Sequence, residues 1–179
     1  MDKVLLVTGA SRGIGAATAR LAAQDGWAVA VNYTAHSLAA DAVVSAIRAS
    51  GGSAIAVQAD VADEAQVLRM FEAVDAQLGR LTGLVNNAGV VDVTARVDEM
   101  SVARWRRMFD INVIGSMLCA REAVRRMSTR HGGSGGAIVN VSSAASRLGS
   151  PGQYVDYAAT KGAVDAFTVG LAKEVAAEG

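Results

Sequence analysis

Tyr157 and Lys161 stand four residues apart in the run Tyr-Ala-Ala-Thr-Lys. That spacing is about one helical turn, so on a helix both side chains leave the same face. A phenol ordinarily titrates near about 10, too high for acid–base work at neutral pH. A neighbouring ammonium favours the phenolate, and bringing a phenol close to neutrality takes roughly 4 kcal/mol of differential interaction. A phenol tuned in this way can pass a proton to or from an alcohol oxygen. Two solvated neighbours on a helix have the same spacing, and the residues upstream decide between the two readings.

Chemistry by this pair requires elements that hold it beside a reactant. Val4–Thr8 is a short apolar run of the kind buried on both faces of a sheet. Glycines follow, and then a helix is expected from Gly13 to Asp25. Trp27–Tyr33 reads as a second strand and Ser37–Ser50 as a helix with Ala39, Ala42, Val43 and Ile47 inward, ended by Gly51-Gly52. Ala54–Ala59 is a third strand, and Val67, Phe71, Val74 and Leu78 recur at helical spacing after it. Leu81–Asn86 is a fourth strand, followed by one long helix from Val102 to Arg130. Gly132–Gly136 is a loop, Ile138–Ser142 a fifth strand, and a last helix begins near Tyr154, after Pro151-Gly152. Strands alternating with helices predict an α/β fold, a doubly wound parallel sheet with helices on both sides in three layers. No linker or internal repeat divides the chain, so residues 1–179 read as a single domain.

Composition narrows the function. Hydrophobic residues make up 51% and aromatics only 4%, which points to a core of small aliphatic side chains between closely packed helices and a buried sheet. Net charge is +0, with no basic stripe interleaved with aromatics, so a nucleic-acid partner is not expected. The apolar run Val4–Val7 is too short for a signal peptide and no stretch reaches the length of a membrane span, so no membrane partner is expected. The one cysteine, Cys119, reads as a small buried hydrophobe, and neither a disulfide within the chain nor a metal site is expected. A reducing cytoplasm is the default compartment.

Thr8-Gly9-Ala10-Ser11-Arg12-Gly13-Ile14-Gly15 joins the first strand to the first helix. Gly9 suits a tight turn out of the strand, Gly13 leaves room for a pyrophosphate, and Gly15 lets the helix approach the sheet. The open N–H groups of the helix start favour an anion. A plain tight turn is the other reading, and a nucleoside-triphosphate loop is not, because no Lys-Ser or Lys-Thr closes the motif.

With its Gly-x-x-x-Gly-x-Gly spacing, the chain resembles the short-chain dehydrogenase/reductase family, of Rossmann type. Other marks stand in the family's order: Asp60-Val61, Asn86-Asn87-Ala88-Gly89, Asn112, Ser142-Ser143, and then Tyr157 and Lys161. The resemblance covers essentially the whole chain. Asn-Tyr after the second strand and Tyr-Val-Asp-Tyr-Ala-Ala-Thr-Lys-Gly-Ala are most similar to the sugar-dehydrogenase-like and 3-oxoacyl-reductase-like branch.

An acid at the end of the second strand would accept from both ribose hydroxyls of NAD. Here the segment reads Val31-Asn32-Tyr33-Thr34, while Arg12 in the glycine loop could reach a 2′-phosphate. NADP is therefore expected over NAD, although Arg12 could be a solvated charge and Asn32 could tolerate NAD. The candidate cofactor contacts are Gly9, Ser11, Arg12, Gly13, Ile14, Gly15, Asn32, Tyr33, Asp60, Val61, Asn86, Ala88, Gly89, Tyr157 and Lys161. The resemblance puts Asp60 and Val61 at the adenine; a turn or helix cap is the plainer role for Asp60.

Trp105, Phe109 and Asn112 fall at i, i+4 and i+7, which sets Asn112 on an apolar stripe where its amide needs partners. A local structural bond is one reading; the resemblance implies a relay water leading to the lysine. The spacing to the tyrosine that the resemblance implies favours Ser143, 14 residues before Tyr157, over Ser142, 15 before it, as the hydroxyl facing the substrate, and alternation along a strand turns only one of the two to the cleft. Tyr154 lacks the four-residue relation to Lys161 and reads as lining the mouth of the site or as packing.

The resemblance implies hydride exchange between NADP(H) and a small carbonyl or alcohol substrate, with Asn112, Ser143, Tyr157 and Lys161 as the catalytic set. A non-catalytic cofactor-binding fragment or sensor of the same fold is the alternative. The resemblance also implies further strands after Gly179, so the fifth strand should present an unpaired edge and the sequence should be part of a longer protein. Ala158, Gly162, Ala166 and Gly170 form a strip of small residues on the last helix, suited to packing on its own sheet or to a homodimer or homotetramer contact.

Overall fold

The computed structural model describes residues 3–179. Its strands are β1 (Val4–Val7), β2 (Ala28–Tyr33), β3 (Ala54–Gln58), β4 (Gly83–Asn86) and β5 (Ala137–Asn140). They form one parallel sheet in the order β3-β2-β1-β4-β5. Leu6 sits between Ala30 on β2 and Leu84 on β4, which fixes the register at the centre of the sheet. The order reverses between β1 and β4, and that switch point opens a crevice at the carboxyl ends of the two strands.

The helices are α1 (Gly13–Gln24), α2 (Ser37–Ala49), α3 (Glu64–Leu78), α4 (Val102–Phe109), α5 (Gly115–Met127), α6 (Ala145–Leu148) and α7 (Val155–Glu174). Alternation along the strands divides the core in two. Leu5, Val7, Val29, Val31 and Val85 pack with residues of α1 and α2. Val4, Leu6, Ala30, Val57 and Leu84 pack on the opposite face with Val67 and Phe71 of α3 and Cys119 and Ala123 of α5. Helices on both faces of a parallel sheet make the expected three-layer α/β/α architecture. No helix among the described residues is long and apolar enough to cross a membrane.

Three sequence expectations need correction. The inward stripe of α2 is Ala40, Val43, Val44 and Ile47, while Ala39 and Ala42 are exposed. The periodicity admitted both choices, and the contact with β2 and β3 selects the one that fills the groove. The long helix is not continuous: a π turn over Asp110–Ile114 separates α4 from α5. The wider turn breaks the i, i+4, i+7 stripe, so Met108 is buried and Phe109 is 38% exposed. Asn112 nevertheless lies inside that turn with no exposed surface, as single π turns often place a polar group where function needs it. The short helix α6, between β5 and α7, has no counterpart in the sequence reading.

The last strand differs from the others. β1 and β4 are buried along their whole length, whereas β5 alternates exposed and half-buried, and Val139 is 54% exposed. Beside it, Ile138 and Asn140 line an apolar cavity of about 200 Å³ between α5 and α7. Among the described residues β5 is an edge strand of the sheet.

Candidate active site

The glycine loop leaves β1 through Gly9, whose φ of +61° is a left-handed conformation that other residues rarely hold. Its N–H donates to Asn32 Oδ1 at 3.1 Å. Asn32 is 1% exposed, and its Nδ2 donates to the carbonyls of Ala59 at 3.0 Å and Val57 at 3.3 Å. Its side chain therefore ties the glycine turn to β3 instead of standing free for a ribose. Tyr33, next to it, is half-buried.

Asn87 braces the loop from the other side. Its Nδ2 donates to the carbonyls of Thr8 at 2.8 Å and Gly9 at 3.1 Å, while Thr8 Oγ1 accepts from the N–H groups of Asn87 and Ala88. A Cβ on Gly15 would stand 2.5 Å from Asn87 Nδ2 and 2.8 Å from the Gly9 carbonyl, so only glycine lets α1 come this close. Thr8 and Asn87 stand inside the quoted motifs but not among the candidate contacts, because their partners lie more than 70 residues away in the chain.

Gly13 faces open space, with nothing within 4 Å of an added Cβ. No side chain caps the start of α1, which leaves its first N–H groups open to an anion. Ser11 is half-buried, Arg12 and Ile14 are exposed, and none of the ion pairs among the described residues uses Arg12. A bare helix start, an open glycine and an unengaged guanidinium fit a pyrophosphate with a further phosphate nearby.

Around the rim, Asp60 Oδ1 accepts from the Ala62 N–H at 2.9 Å, while the cap of α3 is Asp63. Asp60 is thus a turn residue here and does not cap the helix. Val61 is 4% exposed and packs on Gly115. Asn86 turns its Nδ2 beneath the helices, to the Ser116 carbonyl at 3.0 Å and Asn140 Oδ1 at 2.9 Å. Ala88 is half-buried and Gly89 is exposed, close to Asn112.

Asn112 joins three parts of the fold. Its Oδ1 accepts from the Val90 N–H at 2.8 Å, and its Nδ2 donates to the Val90 carbonyl at 2.9 Å and to Thr160 Oγ1 at 3.1 Å. The amide therefore pins the segment after β4 to α7, one residue from Lys161. Lys161 is 6% exposed, and its Nζ donates to the Val141 carbonyl at 2.7 Å. It lies 5.7 Å from the centre of the Tyr157 ring. Burial lowers the pKa of this ammonium, and Asp165, one turn further along α7, opposes that effect. The predicted pair thus shares one helix face, with the amine withdrawn from water.

The two serines stand in different environments. Ser142 Oγ is buried and makes no hydrogen bond to the described residues. Ser143 Oγ accepts from the Ala145 N–H at 3.1 Å, at the start of α6. Tyr154 immediately precedes α7 and accepts at its hydroxyl from Thr94 Oγ1 at 3.0 Å.

Comparison with known proteins identifies the family. The family model described as short chain dehydrogenase matches residues 3–179. An uncharacterized oxidoreductase of Escherichia coli (strain K12), YgfF, is 56% identical over 98% of this chain and 71% of its own length. A 3-oxoacyl-[acyl-carrier-protein] reductase of Synechocystis is 44% identical over 99% of this chain and 70% of its own length. The crystal structure of a short chain dehydrogenase from Burkholderia cenocepacia in complex with NADP superposes with a TM-score of 0.91 at 36% identity, over 99% of this chain and 70% of that one. The chain therefore belongs to the short-chain dehydrogenase/reductase family of oxidoreductases.

Proposed function

We propose that the protein exchanges a hydride between NADP(H) and a small carbonyl or alcohol substrate, with Tyr157 as proton donor and acceptor. The observation that carries this reading is the buried Lys161 ammonium, held by the Val141 carbonyl and set beside the Tyr157 ring. Few structural roles repay the cost of removing a lysine charge from water. A positive charge next to a phenol favours the phenolate that proton exchange requires.

The bound nicotinamide would supply the hydride. In the reduction direction, Tyr157 gives its proton to the developing alkoxide and Ser143 donates a hydrogen bond to the same oxygen. Lys161 stabilises the resulting phenolate and holds the nicotinamide ribose. Asn112 fixes Val90 and Thr160, and so holds the segment after β4 against the helix that carries the pair. Alcohol oxidation runs through the same groups in reverse.

NADP is preferred to NAD because the end of β2 offers no carboxylate and the Asn32 amide is spent on backbone groups, while Arg12 stands exposed beside the open helix start. The superposable structure with bound NADP supports the same choice. A second copy of the chain is the proposed macromolecular partner, met through the small-residue strip of α7. A reducing cytoplasm is the proposed compartment.

The test is turnover of a carbonyl panel with NADPH by the full-length protein beside a Tyr157→Phe variant. Loss of about 10²- to 10⁴-fold in the variant is expected. Equal turnover by both forms would refute the assignment.

A further inference from the structure

The segment between β4 and α4 is fastened to the start of α7 by a row of contacts. Thr94 Oγ1 donates to the Tyr154 hydroxyl, and the Ala95 N–H donates to the Gln153 carbonyl at 3.1 Å. At the centre of the row is Arg104 on α4. Its Nη1 donates to the Val93 carbonyl at 2.7 Å. Its Nε and Nη2 grip Asp156 Oδ2 and Oδ1 at 2.6 and 3.2 Å. Asp156 Oδ1 also accepts from the Tyr157 N–H at 2.9 Å.

Both partners of this ion pair are withdrawn from water, with side chains 9% and 3% exposed. Desolvating two charges is costly, and a buried ion pair is a weak way to gain stability. It is a strong way to fix geometry. A guanidinium gripping a carboxylate with two parallel bonds sets distance and plane together. Here the gripped carboxylate holds a first-turn N–H, one that the helix itself leaves without a partner. That N–H belongs to Tyr157.

We infer that Arg104 and Asp156 are positioning residues for Tyr157, setting the start of α7, and with it the phenol, against the segment that follows Asn86–Gly89. The inference rests on the reading of Tyr157 as proton donor and goes beyond it by adding a pair that lies outside the predicted catalytic set. Neither residue touches the reacting atoms in this account; both act through the tyrosine backbone. Charge alone does not suffice, because lysine cannot reproduce the fork that reaches Asp156 and Val93 together.

The test compares the full-length protein with Arg104→Met, Arg104→Lys and Tyr157→Phe. Arg104→Met should lower kcat by about 10- to 100-fold, the cost of displacing a reacting group by a fraction of its proper distance, while KM for cofactor and carbonyl stays within about twofold. Amide hydrogen exchange over residues 153–158 should quicken in the same variant, and Arg104→Lys should restore part of kcat. Should Arg104→Met fail to fold, Asp156→Asn keeps the side-chain shape and is read in the same way. Parental kcat and parental exchange in these variants, with Tyr157→Phe inactive, would overturn the inference and leave the tyrosine assignment standing. Full turnover by Tyr157→Phe would remove the reading beneath it, and both would fall.

Discussion

The two sides of the crevice are built differently. On the glycine-loop side, polar side chains are spent holding backbone: Asn32 on Gly9 and β3, Asn87 on Thr8 and Gly9, and Thr8 on the end of β4. The strands beneath, β1 and β2, are almost wholly buried. On the Tyr157 side, α7 is tied to β5 by Asn140 Nδ2, which donates to Thr168 Oγ1 at 2.9 Å. What fixes this side is a set of long-range ties, Asn112 to Thr160 and Arg104 to Asp156. The first side is built on filled strands, and on the second a few polar groups tie distant segments together. Substitutions on the first side should therefore cost stability, and those on the second should cost turnover.

The sharpest stability loss belongs to the filled side. Phe71 is fully buried on α3 with the Arg126 guanidinium 4.9 Å from its ring centre. Phe71→Ala should cost about 3–5 kcal/mol in a denaturant titration. Asn32→Ala comes next. It leaves the Gly9 N–H and the Val57 and Ala59 carbonyls without their partner, at about 1–3 kcal/mol. A variant that kept its stability and lost only cofactor affinity would return Asn32 to the ribose contact expected from its sequence position, and the contrast between the two sides would weaken.

Acid should act on the other side. Burial would raise the Asp156 pKa, but the Arg104 guanidinium and the Tyr157 N–H outweigh it and hold the carboxyl below its ordinary range. A carboxyl depressed in the folded state contributes stability that is present above its unfolded value, near about 4, and is lost as pH falls through the folded one. Thermal melts from pH 6 downward should therefore show a smaller acid loss for Asp156→Asn than for the parent.

Much of this was legible in the sequence where the signal is local. Val4–Val7 and Gly9–Gly15 announce strand, turn and helix within a dozen residues, and Tyr157 and Lys161 declare their shared face by spacing alone. What stayed hidden depends on pairings across the chain. Arg104 and Asp156 are 52 residues apart, and neither stands out among the 34 residues counted as Lys, Arg, Asp or Glu. Asn32 falls where a ribose ligand is expected, yet the backbone groups of β3 claim its amide. The π turn was hidden for another reason: inserting it costs only a local change of winding, and the apolar pattern on either side remains helical.

Rapid mixing addresses the central claim most directly. NADPH would be bound first to the parent and to Tyr157→Phe, each as the full-length protein, and then mixed with a carbonyl that the parent reduces. NADPH should still bind the variant, since most of the proposed cofactor contacts lie on the glycine-loop side and Lys161 is kept, and the fast loss of NADPH absorbance seen with the parent should vanish in the variant. Equal bursts from both proteins would contradict the account, because the proton would then come from a group other than the tyrosine beside Lys161.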